Sequence, residues 1–255
     1  MIKGIDVSHN NDTVNWERVK ATGKVDFAII RTGYGVKSPK QIDKQFEFNY
    51  SECKRLKIPV GAYHYSYADS VERALEEADF CLELLKGKQF EYPIFFDIEE
   101  KVHNGLPKSE NSEIVKAFCN ELEKSGYWAG VYSFDSFFTD KLDASIPKRY
   151  AAWVARVPSS GNAIITPKNS EYMGIHQYSW KGRIDGITGD VDLDYCYKDY
   201  PAAIKKAGKN GFKAAVSVDP LYTVFAEKQR LTKAAADKLS EICKSEGMAV
   251  DVQKE

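Results

Sequence analysis

The stretch PIFFDIEE, residues Pro93 to Glu100, decides the predicted fold of this chain. Four apolar residues lead into Asp97, Ile98 and Glu99, a pattern typical of a buried strand that ends at a polar surface. Because side chains two apart along a strand point to the same face, Asp97 and Glu99 are predicted to project together. Two neighbouring carboxylates repel each other, so we expect one of them to have a raised pKa and to hold a proton near neutral pH.

Other runs of β-branched and aromatic residues have the same character, which gives eight predicted strands in all. They are Gly4–Ser8, Phe27–Thr32, Val60–Tyr67, Tyr92–Ile98, Trp128–Phe134, Ala151–Val157, Gly174–Ser179 and Val191–Tyr195. Between the first five strands, apolar residues recur with helical spacing. The predicted helices include Gln45–Leu56, Val71–Lys86 and Ser112–Ser125, and Asp69 and Glu72 are spaced as a capping box for the second of them.

The alternation of strands and helices stops after Val157. Residues 158–172 are rich in Pro, Ser, Gly and Asn, and residues 181–190 are polar with three glycines. Neither segment is patterned as a helix that connects parallel strands, so we expect the last three strands to be joined by hairpins or loops. The predicted fold class is therefore α/β, an irregular (β/α)5(β)3 TIM-like barrel.

The end of the chain differs in character from the barrel. The predicted parts are a barrel at residues 1–205, a linker at 206–219 and a small α+β (βαβ) appendage at 220–255. Within the appendage we expect strands at Leu221–Glu227 and Met248–Gln253 around a helix at Lys233–Ser245. One such unit buries little apolar surface by itself, so pairing of two copies into a homodimer is one hypothesis for its role.

A β/α barrel carries its functional side chains at the C-terminal ends of its strands. Applied to the predicted strands, this rule selects nine candidates. They are Asp6, Arg31, Tyr65, Asp97, Glu99, Tyr132, Trp153, Gln177 and Asp192. Asp6 stands between Ile5 and Val7, where an acid is unexpected unless it faces a functional mouth. Acids, aromatic rings and an amide at one mouth fit a sugar-binding groove.

The aromatic candidates Tyr65, Tyr132 and Trp153 can offer flat apolar faces to sugar rings. Tyr63 is added to them, because it shares a face of its strand with Tyr65. Arg31 follows an apolar run and would otherwise be a buried lone charge. We therefore expect it to pair with one of the acids and to help keep that acid ionised.

Composition excludes several classes of partner. The chain has 255 residues, and 36 basic against 37 acidic side chains leave a net charge of −1, so no basic excess points to nucleic acid or an anionic membrane. No apolar stretch approaches the roughly 20 residues that span a bilayer. The start, MIKGIDVSHN, lacks the pattern of a signal peptide, so synthesis in the cytoplasm without a visible leader is expected. Scattered cysteines and histidines show no metal spacing, and no nucleotide-binding loop is present, so neither a metal nor a cofactor is expected.

A set of ordered segments resembles the motifs of glycoside hydrolase family 25, the muramidases common among phage endolysins and bacterial autolysins. The segments are GIDVSHNN (4–11), FAIIRTGYG (27–35), VGAYHY (60–65), FFDIEE (95–100), GVYSF (130–134), AWVAR (152–156), HQYS (176–179) and GDVDLDY (189–195). The resemblance covers roughly residues 1–200, and the ordered set is far more specific than any one segment. The fold it implies is the irregular barrel predicted above.

The resemblance implies cleavage of the β-1,4 bond from N-acetylmuramic acid to N-acetylglucosamine in peptidoglycan. Glu99 matches the general acid that protonates the leaving oxygen. Asp97 matches the residue that orients the 2-acetamido group of the substrate, and Asp6 matches a further acid on the cleft floor. Asp192 matches a fourth acid, although it has acidic neighbours two residues away on either side. Action on the cell wall, after holin-assisted lysis or another export route, would follow.

Two mechanisms stay open at this point. In one, the acetamido oxygen is the nucleophile and the anomeric configuration is retained; in the other, a carboxylate activates water and the configuration is inverted. Substrate assistance is favoured, because Asp97 and Glu99 are predicted to lie on one side of the sugar. The competing readings are a chitinase-like hydrolase of acetamido glycans and an inactive wall-binding module. The appendage weakly resembles half of a SPOR-type peptidoglycan-binding repeat, so wall binding is the alternative to dimerisation.

Overall fold

A computed structural model describes residues 1–158, 164–168, 170–214 and 232–245. Eight strands close into one barrel in chain order. They are β1 (Ile2–Val7), β2 (Phe27–Tyr34), β3 (Val60–Tyr65), β4 (Ile94–Asp97), β5 (Ala129–Phe134), β6 (Ala151–Ala155), β7 (Met173–Gly182) and β8 (Val191–Cys196). Each overlaps a predicted strand, and the predicted irregular α/β barrel is confirmed.

The direction of the last strand makes the barrel irregular. Strands β1 to β7 run parallel to their neighbours, whereas β8 is antiparallel to both β7 and β1. A short loop can reverse the chain between β7 and β8, so no crossover helix is needed there. The β1–β8 register places Asp6 opposite Asp192, which brings the two ends of the barrel sequence together.

Helices follow the first five strands, as the sequence predicted. Those of the barrel are α1 (Trp16–Ala21), α2 (Phe46–Arg55), α3 (Val71–Leu85), α4 (Lys101–Gly105), α5 (Lys108–Lys124), α6 (Asp135–Asp140), α7 (Ile146–Arg149) and α8 (Tyr200–Ala207). Two details differ from the predictions. The α3 helix is capped by Ser70, which accepts from the backbone N–H of Arg73, and not by Asp69. The α5 helix begins four residues before Ser112, because its first turn is polar and apolar periodicity cannot reveal it.

Two groups of buried side chains support the mouth of the barrel. One group fills the space between the strands and the surrounding helices. The other fills the barrel interior and includes Phe27, Phe95 and Trp153. The large rings need space inside the barrel, and glycines supply it: a Cβ atom added at Gly4 would lie 2.2 Å from the Phe27 ring. The interior is thus closed below the mouth, and a cleft is left only above it.

The chain after α8 begins as part of the barrel. The buried Asn210 side chain donates to the carbonyl oxygens of Phe90 and Tyr92, at 3.2 and 2.8 Å, and accepts from the backbone N–H of Trp128 at 2.6 Å. Compact units divide at Ala215 and Val216, inside the segment predicted as a linker. Within the segment predicted as a linker, Asn210 is thus bonded to the barrel, by side-chain contacts that turn-like composition does not reveal.

The second compact unit spans residues 216–255. Its described element is helix α9 (Lys233–Ser245), which has the bounds predicted from the sequence. The strands predicted at 221–227 and 248–253 lie outside the described residues. No helix in the described part of the chain is long and apolar enough to cross a membrane.

Candidate active site

A cavity of about 310 Å³ opens at the C-terminal ends of the parallel strands. All ten side chains selected from the sequence line it. They are Asp6, Arg31, Tyr63, Tyr65, Asp97, Glu99, Tyr132, Trp153, Gln177 and Asp192. The short turn after β1 adds Ser8, Asn10 and Asn11, and the loop before β8 adds Asp190. The barrel therefore gathers residues from both ends of a stretch of about 190 residues into one polar cleft.

Asp97 is the last residue of β4 and lies on the floor of the cleft. Only 3% of its surface is exposed, and its Oδ1 has no hydrogen-bond partner among the described residues. Burial, followed by the negative charge of Glu99, raises its pKa well above the usual range, and Arg31 opposes this rise. A buried oxygen without a donor is costly in the free protein, so Asp97 is suited to accept a hydrogen bond from a bound ligand.

Glu99 lies two residues beyond Asp97 and lines the same cavity. Burial, followed by the charges of Asp192 and Glu100, raises the pKa of Glu99 to about 7, against an opposing contribution from the Tyr132 hydroxyl. A carboxyl with this pKa is partly protonated at neutral pH. It can therefore give a proton to a leaving group and take one back from water.

Asp6, Asp192 and Asp194 form a second group of acids across the β1–β8 pair. Asp194 is fully buried, and burial raises its pKa to about 8. Burial, followed by the charges of Asp192 and Asp194, raises the pKa of Asp6 well above the usual range. Burial also raises the pKa of Asp192, to about 6. The β1–β8 register pairs Asp6 with Asp192, and Asp194 lies two residues further along β8, so a proton held by one of these carboxyls reduces the repulsion among them.

Gln177 on β7 connects Asp6 to the other wall of the cleft. Its Nε2 donates to Oδ2 of Asp6 at 2.9 Å. Its Oε1 accepts from the Tyr132 hydroxyl at 2.8 Å and from Nε1 of Trp180 at 2.9 Å. All the hydrogen-bonding atoms of this amide are thus used within the protein, and its position is strongly constrained.

Arg31 is paired, as expected from its burial, but with an acid that was not among the candidates. Its Nε donates to Oδ2 of Asp43 at 2.8 Å, and its guanidinium also contacts Nδ1 of His9. The same Asp43 oxygen accepts from the backbone N–H of His9 at 3.0 Å. Arg31 therefore ties the turn after β1 to the loop after β2, while its charge lowers the pKa of Asp97.

The aromatic candidates occupy different depths of the cleft. The Tyr65 hydroxyl donates to Oε2 of Glu100 at 2.9 Å near the rim. Trp153 lies deepest, with 1% of its surface exposed and its ring 4.4 Å from that of Tyr132. Because little of its ring face is open to a ligand, Trp153 supports the floor of the cleft. This limits its predicted role as a flat surface for a sugar ring. Tyr63 is also buried and packs edge-on against Trp153 at 6.0 Å.

Comparison with known proteins agrees with this geometry. Residues 5–187 match the model of glycosyl hydrolases family 25. The chain belongs to this family. It is 28% identical to the autolytic lysozyme of Clostridium acetobutylicum over 193 residues, which are 76% of this chain and 55% of that enzyme. It is also 30% identical over 199 residues to the uncharacterized protein YegX of Escherichia coli, covering 76% of this chain and 68% of YegX.

A solved structure extends the comparison. The modular autolysin LytC of Streptococcus pneumoniae is 31% identical, with a TM-score of 0.66 over 77% of this chain and 46% of LytC. LytC has also been solved in complex with a synthetic peptidoglycan ligand. This family 25 chain thus spans about half the length of the autolytic lysozyme and of LytC.

Some site residues of this family 25 barrel were missed by sequence reasoning. Asp194 follows Asp192 at a spacing of two on β8, so strand alternation could have placed it on the same face of the strand, beneath the cleft floor. Asp43 and Trp180 gave no such signal, because their positions depend on a loop and on a shift of register in β7. In the described part of the chain, no group of three or more His, Cys, Asp or Glu side chains could hold a metal ion.

Proposed function

We propose that this chain is a muramidase that cleaves the β-1,4 bond between N-acetylmuramic acid and N-acetylglucosamine in peptidoglycan. Family 25 is a family of peptidoglycan-hydrolysing muramidases, and the observation that carries the proposal is the pair Asp97 and Glu99. Glu99 has a pKa of about 7 and opens to the cleft, so it can protonate the glycosidic oxygen. The proposed place of action is the bacterial cell wall.

We propose further that the substrate's own acetamido group is the nucleophile. As Glu99 protonates the leaving oxygen, the acetamido carbonyl oxygen attacks C1 and the glycosidic bond breaks, which leaves an oxazolinium ion. Asp97 accepts from the acetamido N–H through its unpartnered Oδ1 and stabilises the positive charge. Water then adds to C1 as the bond between C1 and the acetamido oxygen breaks, Glu99 takes the proton from that water, the acetamido group is regenerated, and the configuration at C1 is retained.

The proposed bond is tested by digestion of purified peptidoglycan. The parent protein, Glu99→Gln and the matched variant Glu100→Gln are compared, and new reducing ends are identified by mass spectrometry. We expect reducing N-acetylmuramic acid ends from the parent and a loss of about 10³-fold or more in Glu99→Gln, with a much smaller change in Glu100→Gln. Reducing N-acetylglucosamine ends would indicate a hydrolase that cleaves the bond from N-acetylglucosamine to N-acetylmuramic acid instead. Retention on the wall without any cleavage would indicate a binding module.

The proposed mechanism is tested by the configuration of the first product. Proton NMR during digestion of soluble glycan strands should show the retained anomer first. Strands whose acetamido groups have been removed should be cleaved far more slowly, whereas an enzyme that activates water with a carboxylate would release the inverted anomer.

A further inference from the structure

Exposed aromatic rings stand at the rim of the cleft, above the buried rings of its floor. Trp180 on β7 has 45% of its surface exposed, and Tyr67, two residues after the end of β3, has 47%. Trp153 and Tyr63 are buried, with 1% and 8% of their surfaces exposed. A ring needs an open face to stack on a sugar, so the rim rings are better placed for this contact than the floor rings.

The Trp180 ring is held beside the cleft by two contacts. Its Nε1–H donates to Oε1 of Gln177 at 2.9 Å, and Gln177 lines the cavity. Its ring packs edge-on against Phe134, the last residue of β5, with the ring centroids 6.2 Å apart. The polar edge of the indole is therefore fixed toward the cleft, and a ring that is already fixed loses little conformational entropy when a ligand covers it. We call Phe134 and Trp180 the tryptophan lip.

Tyr67 is held in a similar way by other tyrosines. Its ring centroid lies 5.4 Å from that of Tyr65, which lines the cavity, and 6.3 Å from that of Tyr34, which it meets edge-on. Its backbone N–H donates to Oε1 of the buried Glu77 at 2.9 Å, so the loop that carries the ring is anchored to helix α3. We call Tyr34, Tyr65 and Tyr67 the tyrosine lip.

The two lips lie on opposite sides of the barrel mouth. The eight strands close in chain order, so β3 and β7 are four strands apart in either direction around the barrel. One way round passes β4, which leads to Asp97 and Glu99, and the other passes β1 and β8, which carry Asp6 and Asp192. A chain that runs from one lip to the other therefore passes between the two groups of acids.

We propose that the tryptophan lip and the tyrosine lip are sugar platforms for one peptidoglycan glycan strand, which crosses the mouth from β3 to β7 and is cut at an internal bond. The proposal rests on the proposed function for the identity of the sugar chain. Indole and phenol rings are uncharged and have flat apolar faces with a polar edge, which suits the C–H face and the hydroxyl edge of acetamido sugars. A strand held at both lips has further sugars on both sides of the one that lies over Asp97.

The first test uses the fluorescence of Trp180. Trp16 and Trp153 are buried and Trp128 is half-buried, so Trp180 is the most exposed of the four tryptophans. Glu99→Gln is titrated with an octasaccharide of alternating N-acetylglucosamine and N-acetylmuramic acid without stem peptides. The emission should shift to shorter wavelength as a sugar covers the indole, and the shift should be absent when Trp180→Phe is added. A shift that persists without Trp180 would place the sugars elsewhere and overturn the proposal.

The second test measures the affinity of each lip for the octasaccharide by calorimetry, in the Glu99→Gln background. Trp180→Ala and Tyr67→Ala should each weaken binding about tenfold. Trp180→Phe and Tyr67→Phe keep a flat ring and should lose less than about threefold. If Trp180→Phe lost as much as Trp180→Ala, the bond to Gln177 and not the ring face would matter, contrary to the proposal.

The matched control for both lips is Tyr197→Ala. Tyr197 is an equally exposed tyrosine, with 50% of its surface exposed. It follows β8, which is antiparallel to its neighbours, so it lies at the end of the barrel opposite the mouth. This variant should bind the octasaccharide as tightly as the parent of the series. A loss of binding at one lip alone would contradict a strand that crosses the mouth.

Strand length tests whether both lips hold the same molecule. A disaccharide is too short to cover both lips, so the octasaccharide should bind more tightly than the disaccharide. The ratio of the two affinities should fall in Trp180→Ala and also in Tyr67→Ala. A ratio that stays the same in both variants would mean that the lips do not share one strand.

Cleavage separates this inference from the proposed function. An active parent should cut the octasaccharide at internal bonds, and the alanine variants should raise KM for long strands with less effect on kcat. Unchanged binding in all the lip variants of an active enzyme would overturn the inference and leave the proposed function intact. A parent that binds strands through both lips but cleaves nothing would contradict the proposed function alone.

Discussion

The indole Nε1 of Trp153 donates a hydrogen bond to Oδ1 of Asp194 over 2.8 Å, beneath the floor of the cleft. Neither residue has more than 1% of its surface exposed. This bond stabilises the charged form of a buried carboxyl and lowers its pKa, against the larger effect of burial. Among the described residues, no second donor bonds to the Asp194 side chain. The cleft floor therefore depends on this one indole N–H.

Replacing Trp153 by Phe should destabilise the barrel by about 3 kcal/mol, from the lost bond and the cavity left behind. The loss should grow from about pH 6 to about pH 9, because the unbonded Asp194 carboxyl becomes harder to ionise. Urea unfolding at several pH values measures this. The matched variant is Trp16→Phe, which removes a buried indole bonded at 3.0 Å to the neutral amide of Asn49. The stability lost in Trp16→Phe should not change with pH. Equal pH dependence in both variants would contradict the explanation.

Stability should rise as the pH falls from about 8 to about 5. The pKa of Asp194 is raised to about 8 in the folded protein, and those of Glu99 and Asp192 to about 7 and 6. In this window the folded protein binds more protons than the unfolded chain, so protonation favours folding, and the gain is lost as the pH rises through the folded pKa values. Asp194→Asn should make the free energy of unfolding less dependent on pH in this window. An unchanged slope in this variant would show that Asp194 titrates normally.

Glu100→Gln should move the basic limb of activity to lower pH. The pKa of Glu100 is held low by the backbone N–H of Lys101 and by Tyr65, so Glu100 is charged at neutral pH and raises the pKa of Glu99. Removing this charge lowers the pKa of Glu99, and less of the acid is protonated above neutrality. The measurement is kcat/KM against pH. Glu83→Gln, an exposed partner of Lys37, should leave the limb in place.

Asn210→Ala should destabilise the barrel by about 3 kcal/mol, because three bonds to its side chain are lost and because Asn210 has a φ of 55°. Asn210→Gly keeps this backbone conformation accessible and loses only the bonds, so its loss should be smaller. The comparison is made by thermal or urea unfolding, with the exposed Lys206→Ala as control. No loss in either variant would place residue 210 outside the cooperative barrel.

Much of the fold could be predicted from the sequence, because the strands are apolar and the inserted acids stand out. Asp6 and Asp97 are visible as charges within buried runs, and the C-terminal ends of the strands indicate a common mouth. Helix α5 shows the limit of this approach: its apolar stripe was visible, whereas its polar first turn was not.

The remaining parts of the site depend on contacts between distant segments. Asp43 reaches Arg31 from a loop, and a shift of register in β7 lies between Gln177 and Trp180. Asn210 looks like a turn residue, yet it bonds to residues about 120 positions earlier. Such contacts are set by three-dimensional packing and leave no periodic signal in the chain.

Closure of the barrel by the β1–β8 pair has a consequence for synthesis of the protein. Asp6 emerges from the ribosome early, but its strand partner Asp192 comes almost 190 residues later. Until then β1 has an unpaired edge, and the cleft lacks one wall. Joining segments so far apart in sequence is entropically expensive and late in folding. An incomplete polypeptide therefore carries Glu99 without the surroundings that tune it, and the cleft is assembled only in a finished barrel.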